Sequence, residues 1–105
     1  MDWEPQDAAA FTGLVKLDLG SGLSRVHSLK GLKDLKGITA GNVEISDLKD
    51  MLDDPSGITE LQLRGITSMD GIASFGNLER LTVRDYPDAN LKQLVPLKSL
   101  KYLSL

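Results

Sequence analysis

The sequence predicts an α/β chain: a solenoid of five short parallel strands joined by 3₁₀ or short helical returns. Three observations predict it. An apolar skeleton recurs five times, as Leu14-Leu17-Leu19, Leu35-Ile38-Ala40, Ile58-Leu61-Leu63, Leu78-Leu81-Val83 and Leu100-Leu103-Leu105. Its starts at 14, 35, 58, 78 and 100 are spaced by 21, 23, 20 and 22 residues, a near-constant period that marks stacked repeats. The returns of about 14 to 17 residues are too long for tight hairpins and suit crossovers between parallel strands. No single unit buries its own apolar side, but stacked units share one core.

The 105 residues fit one domain, 1–105, in which residues 1–13 precede the first repeat. There Pro5 opens a short helix that Gly13 ends. Trp3 and Phe11 are expected to cover the open core of the first unit. The competing reading makes Trp3 an exposed hot spot.

In the first return Leu23, Val26, Leu29 and Leu32 recur every three residues, a period that suits 3₁₀ turns. Gly20 and Gly22 flank a tight turn out of the strand. His27, the single histidine, is expected at the surface, because one histidine with no cysteine makes no usual zinc site. In the second return Ser46 is expected to cap a short helix. Leu48, Met51 and Leu52 share one face of it, and Asp47 lies in its first turn. Pro55 and Gly57 end that segment. Asp47, Asp50, Asp53 and Asp54 lack the spacing of a calcium loop and read as a solvated face. In the third return Ile66, Met69, Ile72 and Phe75 again repeat every three residues. Gly65, Gly71 and Gly76 argue there against a long helix. In the fourth, Asp88 caps a short helix, Leu91, Leu94 and Val95 turn inward, and Pro96 closes it.

The five LxxLxL skeletons resemble the leucine-rich-repeat family, and with their returns they cover most of the chain. Units of 20 to 23 residues resemble the short-repeat, internalin-like bacterial subclass. The resemblance implies a short curved right-handed coil, with a five-stranded parallel sheet on the concave face and the returns on the convex face. The family's usual asparagine is replaced by Gly22, Val43, Ile66 and Tyr86. Apolar packing by the last three is expected in its place. The resemblance also implies a protein-binding module, and with the small size it points to an inhibitor or immunity-type protein of bacterial origin.

Composition narrows the function. A net charge of −3 argues against a dedicated nucleic-acid binder. There are no cysteines, so disulfides and thiolate metal sites are excluded. The opening MDWEPQDAAAF lacks the layout of a signal peptide, and no apolar run approaches the ~20 residues that span a bilayer. A cytoplasmic protein without cofactor or metal is the expectation. No nucleophile elbow, phosphate loop or paired histidines appear, so no catalysis is expected.

Between the apolar positions, alternate residues point outward in columns. The first column is Lys16, Gly37, Glu60, Arg80 and Tyr102, and the second is Asp18, Thr39, Gln62, Thr82 and Ser104. The strand exits are Gly20, Gly41, Arg64 and Arg84. Glu60, Gln62, Arg64, Arg80, Arg84 and Tyr102 make the candidate partner site, since arginine and tyrosine favour hot spots. The bland alternative is that Glu60 and Arg80 simply pair as cross-strand neighbours. A second alternative has Arg64, Arg80 and Arg84 contacting a polyanion or nucleic acid. Strand 100–105, at the edge of the sheet, is a candidate for homodimer pairing.

Overall fold

The computed structural model describes residues 13–20, 29, 31–86 and 91–105. Trp3, Phe11, Leu23, Val26, His27 and Asp88 lie outside them. Five parallel strands form one sheet in chain order: β1 (Lys16–Asp18), β2 (Gly37–Gly41), β3 (Glu60–Arg64), β4 (Arg80–Arg84) and β5 (Tyr102–Ser104). Leu17, Ile38, Leu61, Leu81 and Leu103 stand side by side in register.

One repeated hydrogen-bond pattern keeps that register. At each strand entry a single carbonyl accepts two successive N–H groups. Val15 accepts from Lys36 and Gly37, Lys36 from Thr59 and Glu60, Thr59 from Glu79 and Arg80, and Glu79 from Lys101 and Tyr102. The inward leucines and isoleucines of β2 to β4 are essentially fully buried, from Ile38 at 2% exposed to Leu61 and Leu81 at 0%. At β5, which has a neighbour on one side only, Leu103 is 40% exposed, and Leu105 just beyond the strand is 51% exposed. The fifth skeleton therefore departs from the expected inward burial.

The returns close the other side of one apolar cluster. Their three-residue apolar period matches their hydrogen bonding. Met69, Ile72 and Phe75 accept from Ile72, Phe75 and Leu78 in turn, and the same ladder links Leu29–Leu32–Leu35 and Leu94–Leu97–Leu100. A bond from each residue to the third one back satisfies the buried backbone locally. It also stacks the i and i+3 side chains on one face. That corrects the expectation for Val95, which is 65% exposed, while Leu97 takes the buried place at 5%. A 3₁₀ turn over Leu91–Leu94, rather than an α-helix, sends i+3 and not i+4 inward.

The α-helix of the second return, α1 (Ile45–Met51), also differs at its start. Its N-cap is Glu44, not Ser46, which falls inside the first turn. The Glu44 carboxylate makes no cap bond. It accepts instead from the Thr67 N–H of the next return at 2.9 and 3.2 Å. Leu48 and Leu52 are buried as expected, and Met51 packs half-buried against the core. Pro55–Gly57 forms a 3₁₀ turn capped by Asp54, which accepts from Ser56 N–H at 3.0 Å.

Val43 and Ile66 are buried and Tyr86 packs against the core, so apolar groups do fill the places where the resembled family has asparagine. Polar links between successive returns come from elsewhere. Asp53 accepts from Gly31 N–H at 2.7 Å, Asn77 Nδ2 donates to the Ser56 carbonyl at 2.9 Å, and Gln93 Nε2 to Asp70 at 3.3 Å.

Candidate functional site

The outward face of the sheet carries all six candidate residues and divides them into two groups. Alternation along β3 and β4 presents Glu60, Gln62 and Arg64 beside Arg80, Thr82 and Arg84, pair by pair. The first row across the sheet is Lys16, Gly37, Glu60, Arg80 and Tyr102. Within it Glu60 does not pair with its neighbour Arg80. Its ion pair is with Lys16, two strands away, at 3.4 Å. Gly37 makes this reach possible: a Cβ there would stand 3.3 Å from Lys16 Cγ and 3.7 Å from Glu60 Cβ. The lysine stem lies over the bare backbone of β2.

Arg80 is turned the other way, its guanidinium 5.6 Å from the centre of the Tyr102 ring. At an exposed site that cation–π contact contributes about 0.5–1 kcal/mol. Gln62 Nε2 donates to Glu60 Oε1 at 3.0 Å. This hydrogen bond, more than the charges of Lys16 and Arg80, holds the Glu60 carboxyl below its ordinary pKa of 4.5, against a smaller opposing effect of burial.

The sign of the pH dependence follows. Glu60 is more acidic folded than unfolded, so its stabilising contribution is present above about 4.5 and is lost as pH falls through the depressed value. Gln62→Leu is expected to raise the Glu60 pKa more than Lys16→Met does, read by carboxyl carbon shifts in an NMR titration. The reverse order would make the ion pair the dominant cause.

The second group lines a shallow depression of about 430 Å³ at the strand exits, formed by Asp18, Gly20, Thr39, Ala40, Gly41, Gln62, Leu63, Arg64, Thr82 and Arg84. Glu60, Arg80 and Tyr102 lie outside it. Asp18, Thr39 and Thr82 stand in the outward columns of the sequence, so alternation already placed them on this face. What singles them out is the hollow over the small residues Gly20 and Gly41. Arg64 and Arg84 are adjacent in register and exposed. Among the described residues no carboxylate forms an ion pair with either.

Among the described residues no group of three or more His, Asp or Glu side chains could hold a metal ion, and no helix is long and apolar enough to cross a membrane. Compared with models of known protein families, with curated proteins and with solved structures, the chain finds no match.

Proposed function

We propose that the chain is a non-catalytic protein-binding module: a short leucine-rich-repeat solenoid that holds its partner on the outward face of the parallel sheet. The observation that carries this reading is the Arg64–Arg84 pair, two neighbouring cations on an open face without an ion-pair partner among the described residues. Like charges side by side on a sheet cost stability, so an external anion relieves them. Tyr102, 51% exposed and stacked with Arg80, adds an aromatic anchor of the type favoured at interface hot spots.

The face itself is small. Five strands at ~4.8 Å span about 19 Å, which with five residues of strand gives a footprint of roughly 320 Å². A standard interface takes about 800 Å² per partner. The partner therefore also touches the rims, or binds weakly.

Wild type and Arg80→Glu/Arg84→Glu serve as matched baits, with equal folding checked by circular dichroism. Reversing two charges is expected to lower recovery of a specific partner at least about tenfold. Equal recovery by both baits would remove the outward face as the binding site.

A further inference from the structure

Among the described residues three charges of the face have neither an ion-pair partner nor a ring contact, two positive and one negative, and the two signs stand apart. Lys16 and Glu60 neutralise each other across Gly37. Arg80 is turned onto Tyr102. This leaves Arg64 and Arg84 at one side of the depression and Asp18 at the other, with Thr39 and Gly41 of β2 between them. Asp18 Oδ1 accepts from Gly20 N–H at 2.8 Å, which fixes the carboxylate at the rim and leaves its second oxygen without a hydrogen bond among the described residues.

We infer that this depression receives an extended partner segment lying across the strands, with an acidic residue on Arg64 and Arg84 and a basic residue on Asp18. The inference rests on the reading of the sheet face as a protein-binding surface and names the partner's chemistry. β1 stands two strand spacings from β3 and three from β4, and Arg64 and Arg84 lie two residues beyond the row of Asp18, so the charges are roughly 12–16 Å apart at ~4.8 Å per strand and ~3.3 Å per residue. An extended chain rises about 3.3 Å per residue, so acidic and basic residues four positions apart are separated by about 13 Å. The floor carries polar groups: Thr39, Thr82 and Gln62 offer hydroxyls and an amide to a peptide backbone. A planar carboxylate between two guanidiniums gains charge-assisted hydrogen bonds from both.

The test is an NMR titration at low salt, following backbone amides and arginine Nε–H signals. The probes are the blocked peptide Thr-Glu-Thr-Val-Thr-Lys-Thr, its Glu→Gln and Lys→Gln versions, and inorganic phosphate. The parent peptide is expected to shift Gly20, Gly41, Gln62, Arg64 and Arg84. Arg64→Gln/Arg84→Gln is expected to weaken it about tenfold, the combined effect of two exposed ion pairs. Asp18→Asn, which retains an acceptor for Gly20, is expected to weaken the parent about threefold and to leave the Lys→Gln peptide unaffected. The inference is overturned if the double arginine variant binds the parent equally well, or if phosphate alone binds as tightly. A response centred on Glu60, Arg80 and Tyr102 would also overturn it, while leaving the sheet-face reading intact. Shifts confined to residues off the sheet would remove both.

Discussion

Truncating Phe75 to alanine is expected to destabilise the protein by about 3–5 kcal/mol, the cost of deleting a buried aromatic ring and leaving a cavity. Phe75 is 0% exposed and stands where the third return turns back toward β4. Its N–H donates to Ile72 and its carbonyl accepts from Leu78, the residue that opens the next skeleton. The backbone is thus tied on both sides of the residue and resists collapsing into the void. A single domain typically has about 5–15 kcal/mol of stability in all, so this loss would be visible as a large drop in the urea midpoint. A loss under about 1 kcal/mol would mean that the third return does not seat against the sheet as described.

Gly65→Ala is expected to cost about 2–3 kcal/mol by two separable routes. The residue has φ of +72°, a left-handed conformation that costs a side-chain-bearing residue about 1–2 kcal/mol. A Cβ there would also lie 2.5 Å from Oδ1 of Asn42, the corresponding residue of the preceding strand exit. Asn42 itself has φ of +58°, so glycine fits that position too. The cycle Gly65→Ala, Asn42→Gly and the double variant therefore separates contact from strain. A coupling of about 1 kcal/mol is expected from chemical denaturation. Strict additivity would show that the Asn42 side chain does not overhang Gly65.

These two positions differ in how far the sequence revealed them. Phe75 was legible, because Ile66, Met69, Ile72 and Phe75 repeat every third residue and that period has one structural meaning here. Gly65 was legible only as a helix breaker. Its left-handed turn recurs at Asn42 and Asp85, each two residues past the last apolar position of its skeleton, and neither of those is glycine. The pattern points Val95 inward as a helical i+4 partner, but the chain makes a tighter turn there. Ser46 reads as the cap because a serine before a helical pattern is a good cap in isolation. The chain places Glu44 at that point and uses its carboxylate to tie down the following return.

The candidate site divides along the same line. All six of its residues were found by counting alternate positions, and the structure does bring them onto one face. Counting could not tell that Lys16 reaches past β2 to Glu60, that Arg80 turns to Tyr102, or that Asp18 and Gly20 help to form the hollow.

By itself the sequence determined the strands, their order, their register and which residues face outward. Those follow from two local periods, two residues within a strand and about twenty between strands, and every unit repeats them. Only the tertiary structure decided which charges neutralise each other and which remain for a ligand. Such pairings depend on side-chain reach across neighbouring strands, and on the space a glycine leaves between them, and neither is written in any local pattern.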